Sequence, residues 1–153
     1  MAVEDLTPQA AADAVEALWL RYDSLLADRS QDDWSRPTPC AGWDVADLIG
    51  HVGGLTLMFA GRPQPDPPES WTPPPGLGPI DTMTETGVAA RRHRRPEAHL
   101  TELAQAREVW VEGLRGLPDL EGQTIGPTGA MSQRQFVEVR MFDLWHHLWD
   151  LHR

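Results

Sequence analysis

Asp143 and His147 stand four residues apart near the end of a 153-residue chain. At about 100° per residue, a helix sets them on one face, one turn apart. A carboxylate and an imidazole so spaced can grip one divalent cation, with a third ligand supplied from elsewhere. His51 is the candidate for that place. It sits at the edge of an apolar helix face, between the directions of Leu55 and Met58. Two imidazoles and one carboxylate suit Zn2+, and also Ni2+, Fe2+ or Mn2+. Three protein ligands leave one position open to water or substrate, which marks a catalytic rather than a structural centre. A metal held this way lowers the pKa of a bound water or thiol and polarises a carbonyl.

On the helical wheel, Phe136, Arg140, Asp143, His147 and Asp150 fall in one narrow sector, flanked by Val139, Leu144 and Leu151. Polar groups inside an apolar stripe are costly unless they are paired or bind metal. Arg140 and Asp150 are candidates to support the ligands, one steadying the carboxylate and the other orienting an imidazole. The competing account pairs Asp143 with Arg140 and makes His147 a satisfied core histidine. His146 points away from His147, and His93, His99 and His152 read as surface histidines. The other side of this helix, Met141, Phe142, Trp145, Leu148 and Trp149, is also apolar. A helix apolar all round is buried on both sides. The cover is either a second copy, giving a homodimer through the last helix, or a proline-rich loop.

The elements that position these residues are four helices with long connections, an all-α arrangement. The first follows Thr7-Pro8, with Thr7 as N-cap, and runs to about Asp28. A loop from Ser30 to Trp43 contains Trp34 and Pro37-Thr38-Pro39-Cys40-Ala41-Gly42-Trp43, and its two tryptophans tuck it against the bundle. The second helix opens at the N-cap Asp44 and ends near Gly61. Gly53-Gly54 inside it allow a neighbouring backbone or a ligand to approach closely. Residues 62–80 carry eight prolines and exclude helix. This segment is a mobile surface loop, or a lid carrying Trp71. The third helical region spans Thr82 to Leu117, with a break between Arg91 and Pro96. Its Arg91-Arg92-His93-Arg94-Arg95 cluster either attracts an anion or forms a solvated face balanced by acids. The last helix starts near Ser132. No strand pair and no internal repeat is evident.

Composition limits the function classes. The length and 41% apolar content describe one globular domain over residues 1–153. No apolar run reaches the ~18 residues of a membrane span. Met1-Ala2-Val3-Glu4-Asp5 lacks the basic and apolar regions of a signal peptide. A net charge of −10 argues against nucleic-acid binding. Cys40 is the only cysteine, so no internal disulfide can form, and a cytoplasmic location is expected. Its bland reading is a packed loop thiol and its sharper one a nucleophile.

Two stretches resemble a known family. They are Pro37-Thr38-Pro39-Cys40-Ala41-Gly42-Trp43-Asp44-Val45-Ala46-Asp47-Leu48-Ile49-Gly50-His51 and Val139-Arg140-Met141-Phe142-Asp143-Leu144-Trp145-His146-His147-Leu148-Trp149-Asp150. Together they resemble the DinB-like metal-dependent bundles, and more closely the N-terminal domain of mycothiol-dependent maleylpyruvate isomerases. The resemblance implies a DinB-like four-helix bundle holding a divalent metal, usually zinc, through a His-Glu-His triad. The histidines fall on His51 and His147. The acid falls on Asp143, one methylene shorter than the family's usual Glu. Longer isomerase-type relatives carry a further C-terminal domain. The function implied is metal-dependent thiol S-transfer or isomerisation of a small electrophile, with a mycothiol-like cosubstrate. The alternative is a non-catalytic metal-containing bundle that binds a small molecule beneath the loop around Trp71. A third reading is a structural or dimeric remnant whose triad holds no metal.

Overall fold

The computed structural model describes residues 6–152. The N-terminal segment Met1–Asp5, which bears on the signal-peptide expectation, lies outside them. Five α-helices and one small hairpin follow in order: α1 Pro8–Leu26, α2 Val45–Phe59, α3 Pro79–Ala89, α4 Pro96–Arg115, β1 Gln123–Gly126, β2 Gly129–Ser132 and α5 Gln133–His152. The fold is the DinB-like helical bundle expected. Its body is α1, α2, α4 and α5, and the shorter α3 packs on α2.

The helix starts follow their caps. Thr7 Oγ1 accepts the Ala10 N–H at 3.2 Å, and Asp44 Oδ1 accepts the Asp47 N–H at 2.9 Å. Ser132 and Gln135 cap each other at the start of α5. The third helical region divides where Pro96 forbids continuation, giving α3 and α4. α3 begins at Pro79, inside the segment expected to exclude helix, because proline is well suited to the first helical turn.

The core gathers Val15, Trp19 and Tyr22 of α1, Leu48 and Val52 of α2, Leu103 and Val111 of α4, and Val137 and Leu144 of α5. Trp34 is buried against this core and stacks on His99, with ring centroids 5.9 Å apart. No helix among the described residues is long and apolar enough to cross a membrane.

Four expectations are corrected. β1 and β2 form an antiparallel hairpin where no strand pair was expected. Each strand has four residues and little apolar alternation, so the period-2 signal is absent. His99 is fully buried rather than on the surface, because the α4 start turns it under Trp34.

The Arg cluster is not a solvated face throughout. Arg91 is 1% exposed, and its guanidinium bonds Glu102, Gln64 and the Gly87 carbonyl. It lies directly over Gly54, where a Cβ would stand 2.5 Å from Arg91 Cζ. The close approach that Gly53-Gly54 suggested is therefore made by an arginine side chain. Finally, the proline-rich loop does not cover the far face of α5. Phe142, Trp145 and Trp149 are exposed and line a groove with α1 residues, with no contribution from the proline-rich loop.

Candidate metal centre

The centre is built from α2, α5 and the loop before α2. In that loop, Pro37 pairs with Asp44, Thr38 N donates to Trp43 O at 2.9 Å, and Gly42 turns the chain at φ +80°. A left-handed turn of this kind suits glycine. The loop lays the Trp43 ring over the site, 5.0 Å from the His51 ring and 6.4 Å from the His147 ring. The Trp43 indole N–H donates to Glu85 of α3 at 2.9 Å, which pins this cover.

His51, Asp143 and His147 meet as expected from the sequence. One donor atom from each lies within 4.8 Å of the other two. The His51 and His147 rings are 5.0 Å apart and nearly perpendicular, at 80°. Asp143 Oδ1 stands 3.6 Å from His147 Nε2. Burial pushes the His51 pKa down to about 3, with the neighbouring His147 adding to the effect. His51 is thus a neutral imidazole with a lone pair to offer, the form a metal requires.

Arg140 and Asp150 stand where supporting residues belong. Arg140 Nη1 donates to Asp143 Oδ2 at 2.6 Å, and Nη2 donates to Thr56 Oγ1 at 3.1 Å. The guanidinium is almost fully buried and lies 5.8 Å from the centre of the Phe59 ring. The Arg140–Asp143 pair and the triad therefore coexist, because arginine takes one carboxylate oxygen and leaves the other facing His147. On the other side of the imidazole, His147 Nδ1 is 3.1 Å from Asp150 Oδ2. A proton donated there leaves the lone pair on Nε2, toward Asp143 and His51. The donor set, its spacing and the two supporting carboxylate contacts fit a divalent cation of the zinc class.

Cys40 joins the far edge of the cluster. Its Sγ donates to Asp150 Oδ2 at 3.4 Å and lies 3.9 Å from His147 Nδ1. Burial and then Asp150 push its pKa up to about 11, so it is a thiol and not a ready nucleophile. Sequence reasoning missed this contact, the hold of Thr56 on Arg140, and the Glu85 anchor of Trp43. Each joins residues far apart in the chain, and no local spacing announces them. His93, His146 and His152 are exposed and stand outside the triad.

The profile of the mycothiol maleylpyruvate isomerase N-terminal domain matches residues 15–152. This chain belongs to that family. Two uncharacterized proteins from two strains of Mycobacterium tuberculosis are each 30% identical to it over 132 residues, covering 85% of this chain and 59% of theirs. The crystal structure of a mycothiol-dependent maleylpyruvate isomerase superposes with a TM-score of 0.74 at 15% identity, over 99% of this chain and 63% of that one. A histidine-to-alanine mutant of such an isomerase superposes with a TM-score of 0.72. The chain thus spans about three fifths of the length of these relatives. The solved structures support the fold.

Proposed function

We propose that this family member is a metal-dependent thiol S-transferase or isomerase. It would act on a small electrophile with a mycothiol-like cosubstrate. The observation that supports this reading is the convergence of His51, Asp143 and His147 on one point, backed by Arg140 and Asp150. His51, Asp143 and His147 would hold the ion. When bound, a zinc-class ion supplies a Lewis acid that favours the thiolate form of a thiol at neutral pH. Arg140 fixes the Asp143 carboxylate, and Asp150 keeps the His147 proton on Nδ1. Trp43 shields the imidazoles from water, while its indole N–H remains tied to Glu85.

Beside His51 lies a cavity of about 190 Å3 between α2 and α3, walled by Met58, Met83 and Pro65 among others. Its mostly apolar wall fits a small electrophile rather than a long polar chain. The mycothiol dependence of the structural relatives supports the choice of thiol.

The test is turnover with mycothiol and maleylpyruvate, followed by a panel of small electrophiles. Zinc-loaded protein is compared with chelator-treated protein and with His147→Ala. Thiol-dependent product, lost in both controls, supports the proposal. Metal bound without product across the panel favours the non-catalytic metal-containing binding bundle. A Trp fluorescence change on ligand addition would then report capture.

A further inference from the structure

His147 has two ring nitrogens, and the proposed centre uses one. The other, Nδ1, faces Asp150 and Cys40. One donor atom each from Cys40, His147 and Asp150 lies within 4.8 Å of the other two. The edges of this triangle are 3.1 Å from Nδ1 to Asp150 Oδ2, 3.4 Å from there to Cys40 Sγ, and 3.9 Å from Sγ back to Nδ1. Tetrahedral coordination with metal–sulfur bonds of ~2.3 Å and metal–nitrogen or metal–oxygen bonds of ~2.0–2.1 Å gives edges of roughly 3.3–3.6 Å. The observed triangle is close to one face of such a tetrahedron.

We propose that Cys40, His147 Nδ1 and Asp150 form a second cation site, back to back with the first, for a thiophilic ion such as Zn2+ or Cd2+. A sulfur, an imidazole nitrogen and one carboxylate select ions of this class over magnesium or calcium. Loading displaces the Cys40 thiol proton to solvent. It also moves the imidazole proton off Nδ1, to Nε2 when the first centre is empty and to solvent when it is filled. In the second case the imidazole ring bridges the two ions.

The loop geometry favours the site. The Cys40 N–H donates to Thr38 Oγ1 at 3.2 Å, and Trp43 N donates to Cys40 O at 3.0 Å, so the thiol is presented from a fixed turn. An approach from outside exists as well. A cavity of about 360 Å3 reaches Asp150 past Thr38, with Asp28, Asp33, Arg29 and Arg36 along its wall. The site uses no ligand of the first centre except His147, through its opposite nitrogen.

Cadmium supplies the probe, because cadmium–thiolate bonding has an ultraviolet charge-transfer band and Cys40 is the only thiol. Metal-free protein is titrated with Cd2+ beside Cys40→Ser, Asp150→Asn and His51→Ala. The proposal predicts a band that is absent in Cys40→Ser, saturates by two equivalents in the parent as both centres fill, and saturates at one equivalent in His51→Ala. It predicts binding weakened by at least about tenfold in Asp150→Asn. The band persists in His51→Ala, so loss of the first centre is told apart from loss of the second. No band in the parent protein overturns the proposal. So does a band of equal affinity in Asp150→Asn, which would be capture by the thiol alone.

Discussion

Arg140 and Asp143 form an ion pair across one turn of α5, 2.6 Å between Nη1 and Oδ2, with the guanidinium 2% exposed and the carboxylate 30% exposed. The pair divides the carboxylate: one oxygen is held from the protein interior, and the other is aimed at His147 Nε2, 3.6 Å away. Asp143, one methylene shorter than the glutamate the resemblance implies, still comes this near the imidazole because the two residues lie one turn apart on α5.

Arg140→Met should therefore separate support from stability. Methionine fills much of the buried volume without a charge, so the fold survives. Asp143 loses its anchor, and metal affinity falls by about tenfold to a hundredfold. Isothermal titration with zinc measures this, with circular dichroism checking the fold. Unchanged affinity in folded protein would mean that Arg140 has no positioning role.

Asp150→Asn tests the other support. The Nδ1 contact at 3.1 Å loses its charged acceptor. Zinc affinity at the His51–Asp143–His147 centre should again drop by about tenfold or more. The measurement is a competition titration against a zinc chelator. Parent-like affinity would show that the imidazole is oriented by packing alone.

The glycine pair on α2 gives opposite signs at adjacent positions. A Cβ on Gly54 meets Arg91 Cζ at 2.5 Å, and Arg91 is pinned by Glu102, Gln64 and the Gly87 carbonyl. A Cβ on Gly53 meets nothing nearer than 3.6 Å. Overpacking costs about 1–3 kcal/mol, whereas alanine in an unstrained helix gains up to ~1 kcal/mol over glycine. Gly54→Ala should lower the thermal midpoint and Gly53→Ala should raise it. Equal shifts in the same direction would contradict the close Arg91 packing.

The i, i+4 spacing of Asp143 and His147, and the place of His51 on an apolar edge, led to a cluster that the fold brings together. The caps Thr7, Asp44 and Ser132 located helix starts to within a residue. Burial of Arg91 was not legible, because its partners Gln64 and Glu102 come from a proline-rich segment and from the next helix. The same limit hid the contacts of the Cys40 thiol with His147 and Asp150, more than one hundred residues away in the chain. The hairpin was hidden by its length, since four-residue strands carry too little alternation to compete with turn residues.

His99 sets an expected pH dependence. Burial lowers its pKa in the fold, while the unfolded chain titrates near 6.5. As pH falls through about 6.5, the unfolded chain takes up the proton first, so stability declines. The decline levels off once the folded pKa is passed. Both ring nitrogens lack a hydrogen-bond partner among the described residues, and the nearby Glu102 and Asp47 carboxylates offset the burial of a charge there only in part. His99→Phe should flatten the acid limb of the urea-unfolding stability profile, by at most about 1.4 kcal/mol per pH unit. An unchanged slope would remove His99 from the account.

The most direct measurement is metal content by elemental analysis of protein purified without a metal-affinity tag, beside His51→Ala and Asp143→Ala. About one equivalent of a zinc-class metal per chain is expected at the His51–Asp143–His147 centre, or its uptake when zinc is supplied after chelation, and each variant should hold one equivalent less than the parent whether or not the Cys40 site is also filled. A parent protein that carries no such metal and takes up none when it is supplied would contradict the metal centre on which the proposed function rests.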